Sequence, residues 1–201
     1  MLSHNYLLKI RLRLGAFVIA TALLTTSCAG SLFKVKPAVD LPPLAGNVKT
    51  ASAGGVTVRV APLLADEETQ ELFEANLPLS GVLPVRVEFV FESGVPIEIK
   101  RVHFHLRDGD GHEWKMVSPK AAISRILKAN GVSSYNPNSR KQFEKEFAAY
   151  AMDLKSPLSA SERRRQGFLF FETPHNLPVE SPRGLVLVIE GLPQQVEIRL
   201  S

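Results

Sequence analysis

Two histidines sit where a metal could be held. His103 and His105 alternate with apolar residues, so they share one face of a strand, and His112 follows just beyond a turn. Paired imidazoles at this spacing bind zinc or copper once further ligands join them. A metal-binding or metal-dependent hydrolytic site built on His103, His105 and His112 is therefore the chemical candidate, although Lys115, expected beside the pair, opposes a cation. Asp108-Gly109-Asp110-Gly111 has the opening spacing of a calcium loop, but the twelfth position is Pro119 where that loop needs glutamate. The chain holds neither Gly-x-Ser-x-Gly nor a phosphate-cradling glycine loop with its lysine. No catalytic residue, cofactor or firm metal ligand is assigned, and a non-enzymatic protein is expected.

The remaining reactive group is Cys28, the sole cysteine. Lys9, Arg11 and Arg13 precede an apolar stretch from Leu14 to Leu24, and Thr25, Thr26 and Ser27 lead into Cys28. A cationic start, a short apolar middle and a small-residue exit make a signal peptide over residues 1–27. The exit resembles the lipobox of bacterial lipoproteins, with Thr25 where leucine is usual. That resemblance implies a diacylglyceryl group on Cys28 and, with Ala29 next, an outer-membrane protein facing the periplasm. Soluble export after cleavage at Ser27 and an uncleaved anchor from Leu14 to Gly30 stay open. That stretch is at the short edge of what a bilayer needs.

Charge excludes one class of partner. The first 27 residues carry three of the 24 Lys and Arg and none of the 20 Asp and Glu, leaving a net +1 on the remainder. Such a weak field does not suit a nucleic-acid binder. With no second cysteine there is no disulfide to supplement the core.

Proline and glycine mark residues 28–54 as a flexible tether, and a single domain is expected over 55–201. Within it Val56, Val58 and Val60 alternate with polar residues, as do Val85, Val87, Phe89 and Phe91. Asp66 caps a short acidic helix reaching Asn76. Alternation resumes over Ile97 to Leu106. A three-residue Gly109–Gly111 loop places Leu106 opposite Trp114, Phe104 opposite Met116 and Arg107 opposite Glu113, because a two-residue loop would set Trp114 across from His105 on the wet face. Ser118 and Pro119 open one helix, and a second runs from Ser139 to Met152. These form a helical insert over 118–153, in which Phe143, Phe147 and Tyr150 are candidate partner-binding residues. A linker with Arg163, Arg164 and Arg165 then leads to strands at 167–171, 185–189 and 196–200.

About seven strands with a two-helix insertion make a mainly β protein, an immunoglobulin-like antiparallel sandwich. A single mixed sheet covered by the helices is the rival arrangement. The order of a strand, an acidic helix, a Pro84-Val85 strand, the turn before Pro96 and the Gly167-Phe168-Leu169-Phe170-Phe171 strand resembles that of poorly characterised bacterial envelope lipoproteins with immunoglobulin-like domains. The resemblance implies fold and location, and carries no functional residue. The expected function is an interaction or assembly module, tied to the membrane through Cys28 and meeting an envelope protein partner.

Overall fold

The structure, a computed structural model, describes residues 33–41, 43–44, 47–132 and 136–201. The expected signal peptide and Cys28 lie outside these residues. The described residues form eight strands, β1 (Lys49–Ser52), β2 (Val56–Pro62), β3 (Val82–Phe91), β4 (His103–Arg107), β5 (Glu113–Val117), β6 (Arg164–Glu172), β7 (Val186–Glu190) and β8 (Val196–Arg199). With them are three α-helices, α1 (Asp66–Phe73), α2 (Pro119–Ala129) and α3 (Pro137–Ala148). All strand pairs are antiparallel, in the order β1-β2-β3-β6-β5-β4-β7-β8.

The sheet curls until β8 returns beside β1, and the period-two residues turned inward fill its interior. Val58, Val85, Val87, Phe89, Leu106, Trp114, Leu169, Phe171, Leu187 and Ile198 are among them. The curl hinges on β5. Glu113 and Trp114 pair with Arg107 and Leu106 of β4, whereas Lys115, Met116 and Val117 pair with Glu172, Phe171 and Phe170 of β6. A strand that leaves one set of neighbours for another turns a corner between two layers. Leu106–Trp114 and Arg107–Glu113 match the expected register. Phe104 does not meet Met116, because β5 has by then crossed to β6 and Phe104 faces Ile189 of β7.

A second core lies on the outer side of β3 and β6, under the helices. Phe168 and Phe170, alternating with Leu169 and Phe171, point into it. Phe73 of α1 centres an aromatic group there, with ring centroids 5.0 Å from Phe147, 5.0 Å from Tyr150 and 5.8 Å from Phe168. Each such pair adds about 0.5–1.5 kcal/mol beyond the area it buries. Gly167 lets the chain after α3 cross directly over β6. A Cβ there would lie 2.5 Å from the Met152 Cα, in a crossing held by hydrogen bonds from Phe168 N–H to Tyr150 O and from Met152 N–H to Phe168 O.

Several expectations are corrected. Strands number eight among the described residues, because Lys49–Ser52, expected within the tether, pairs with β2. The described part of the expected 28–54 tether is packed: Phe33, Val35 and Leu44 are buried, and Lys36 N–H donates to Leu72 O. A 3-10 turn at Ile99–Arg101 interrupts the expected Ile97–Leu106 strand. Helix α1 stops at Phe73, where Glu74 is left-handed, and Ala65 rather than Asp66 holds the N-cap position. Helix α3 starts two residues earlier than expected, capped by Asn136, and ends before Tyr150.

The arginine run is structural rather than a linker. Arg165 is buried at the start of β6, pairs with Glu162 and donates to the Pro157 carbonyl, which pins the 153–162 loop. The hydrogen bonds that Arg165 donates to the Glu162 carboxylate raise its pKa despite its burial. Arg164 and Arg59 both engage Glu88, whose side chain is fully buried. The charged face of β3 is thus roofed, partly by Leu44, whose carbonyl accepts from Arg59.

Candidate functional site

The β4–β5 turn is organised by one carboxylate. Asp108 Oδ1 accepts the backbone N–H groups of Asp110 at 3.1 Å and His112 at 2.9 Å, and Oδ2 accepts Trp114 Nε1–H at 3.1 Å. His112 Nδ1 lies 3.3 Å from Oδ2. Gly111 is left-handed, as the three-residue loop requires. Burial works against the Asp108 carboxylate, but Trp114, the two backbone donors and the His112 ring together hold its pKa below the usual range.

The turn docks on the segment before β7 at a point where only glycine fits. Gly109 N–H donates to Arg183 O at 2.9 Å, and a Cβ on left-handed Gly184 would lie 2.9 Å from the Gly109 Cα. Between the turn and residues 173–183 opens a cleft of about 770 Å³. Trp114, Pro174, Pro178, Val179 and Pro182 line it with apolar surface, and Asp110, His112, His175 and Arg183 supply charge and hydrogen-bonding capacity. Pro78 O fixes the far wall through Val179 N–H, at 2.8 Å. Leu177 on the lining is 61% exposed.

The histidines expected to act together are divided between two places. His103 and His105 lie on the outer face of β4, with His103 opposite Glu190 and His105 Nδ1 3.0 Å from Glu113 Oε1. His112 belongs to the turn. The grouping of possible metal ligands among the described residues is instead Asp108, Asp110 and His112, whose ligand atoms lie within 4.8 Å of one another. Those contacts are the turn's own bonding, since Asp108 spends both oxygens on N–H groups. Phe143 and Phe147 are fully buried against the sheet and Tyr150 nearly so, which makes them core and not a partner-facing surface. Periodicity alone does not separate these two uses of an aromatic stripe.

No protein-family model, curated protein or solved structure gives a significant match to the chain. The cleft was not legible beforehand. Its only sequence trace is the spacing of Pro174, Pro178 and Pro182, which keeps that wall out of regular structure.

Proposed function

We propose that the chain is an exported, lipid-anchored envelope protein, non-enzymatic, whose domain binds another envelope protein in the cleft beside the β4–β5 turn. The observation that carries the binding role is that cleft: walls fixed by Asp108 and the Gly109–Gly184 contact, a largely apolar lining, and exposed Leu177 on it. Preformed apolar clefts with a few polar groups are the usual form of a binding site. The anchor rests on the residues around Cys28, and the outer membrane facing the periplasm is the location it implies. The oligomeric state is no part of the proposal.

The strand order supports an immunoglobulin-like reading of the fold. Leaving out β1, the strands run β2-β3-β6-β5 in one half and β4-β7-β8 in the other. That order matches the ABED and CFG arrangement of an immunoglobulin constant-type sandwich, with α1 inserted between A and B and with α2 and α3 between D and E. The disulfide of antibody domains has no counterpart, and Trp114 stands on the D strand.

The test places a photo-cross-linking residue at Leu177 in the full chain, with exposed Val95 as control. A discrete adduct from Leu177 that Val95 does not form supports the cleft. The same adducts from both positions overturn it. For the anchor, Cys28→Ala abolishes incorporation of labelled lipid and releases the protein from membranes. Unchanged labelling overturns the lipoprotein reading.

A second reading, metal binding at Asp108, Asp110 and His112, requires Asp108 to give up bonds it makes within the turn. Added zinc then raises Tm, and Asp110→Ala removes that rise. No shift in the parent protein ends this reading, in which His103 and His105 have no part.

A further inference from the structure

Covalent reach limits where a bilayer can lie. Phe33 is the first described residue and is packed: its ring centroid is 4.9 Å from that of Phe143 on α3, and Lys34 N–H donates to Glu74 Oε2 at 2.8 Å, at the end of α1. Four residues separate Cys28 from Phe33. Whatever path they take, five Cα steps cover at most about 18 Å. A domain of this length has a radius of gyration of about 15 Å and a diameter near 40 Å. A lipid on Cys28 therefore holds the bilayer against the side of the domain from which Phe33 emerges.

That side is one outer layer of a three-layer stack. Helices α1, α2 and α3 cover β3 and β6 through the second core, and β3 and β6 face β4, β7 and β8 through the first. With layers about 10 Å apart, the outer face of β8, bearing Glu197, is about 20 Å further from the anchor than the helices. The helical face is polar, with Lys34, Lys141 and Lys145 exposed alongside Asp66, Glu67, Glu68, Glu71 and Glu74. It suits contact with headgroups rather than insertion, and its mixed charge leaves the orientation to the short covalent reach.

We infer that the α1–α3 face of the domain lies against the lipid surface, with the β4-β7-β8 layer turned away from it. This rests on the lipoprotein reading. The domain does not stand off on a long leash, and its helical insert is held at the headgroups.

The test uses the full-length acylated protein in phosphatidylethanolamine–phosphatidylglycerol vesicles carrying nickel-chelating headgroups. Because acylation removes the only native thiol, Lys141→Cys and Glu197→Cys each accept a single nitroxide. Relaxation by nickel is expected to be several-fold stronger at 141 than at 197. Twenty Gly/Ser residues inserted between Leu32 and Phe33 remove the difference. Equal relaxation at both sites in the native-length chain, or stronger relaxation at 197, overturns the orientation. Mass spectrometry of the N-terminal peptide separates the two failures: an unmodified Cys28 overturns the lipoprotein reading and the orientation with it, whereas an acylated Cys28 with equal relaxation overturns the orientation alone.

Discussion

Tyr150 donates its phenol O–H to the backbone carbonyl of Lys36 at 2.6 Å, across 114 residues of sequence. The bond ties the exit of the helical insert to the segment that leads into the sheet. Tyr150→Phe keeps the buried ring and removes this donor, leaving the Lys36 carbonyl to find another. The expected loss is about 1 kcal/mol, with faster proteolysis between Lys36 and Lys49 under native conditions. Urea denaturation and limited digestion measure the two effects. An unchanged digestion rate shows that the other contacts of the segment hold it without this bond.

Glu88 is fully buried and faces Arg59 at 2.6 Å, with Arg164 on its other side. Glu88→Gln leaves the Arg59 and Arg164 guanidinium groups without this counter-charge. Breaking a buried pair typically costs about 3–5 kcal/mol. The lower end applies, since the Arg164 side chain is 54% exposed. Chemical denaturation of the single variant and of Glu88→Gln combined with Arg164→Gln reads the coupling. A double variant no more stable than the sum of the two single changes removes Arg164 from the account.

Asp108 titrates below the ordinary aspartate range once folded. A depressed folded pKa contributes stability above the unfolded value near 4, and that contribution is lost as pH falls through the folded value. Asp108→Asn therefore lowers stability at pH 7, by about 1–2 kcal/mol, and the gap to the parent protein closes below pH 4. Tm against pH for both proteins gives the difference curve. A gap independent of pH means that the side-chain oxygen matters and its charge does not.

Gly167→Ala tests the crossing behind β6. The added methyl meets Met152 backbone atoms at 2.5 and 2.6 Å, which no side-chain rotation relieves. Overpacking of this kind costs about 1–3 kcal/mol. The loss appears as a lower urea midpoint with the fold retained by circular dichroism. A variant as stable as the parent shows that the 150–152 segment shifts freely.

Much of the β architecture was legible because one face of each strand is apolar. The Leu106–Trp114 register followed from keeping Trp114 dry. What failed was non-local. Met116 belongs to the same alternation as Trp114, yet its partner Phe171 comes from a strand 55 residues further on, and nothing near Met116 announces it. Segment 33–52 was misread for a related reason: its prolines and glycines describe an irregular path, and an irregular path can still be packed. Phe143 and Phe147 share the expected helix face, but the rings that cover them, Phe33 on Phe143 and Phe73 on Phe147, lie far off in sequence. The cleft joins two loops through backbone contacts, which leave the least trace in side-chain patterning.

The β3–β6 pairing also sets an order of events. Its partners are distant, with Arg86 and Gln166 80 residues apart, and it occupies the middle of the sheet. Contacts at such separation form slowly, and on a growing chain they wait for synthesis to pass Glu172. Until then β3 has β2 on one side and nothing on the other. If the chain is exported as an unfolded thread, as proposed, this late pairing keeps the sheet open for as long as the chain is being made.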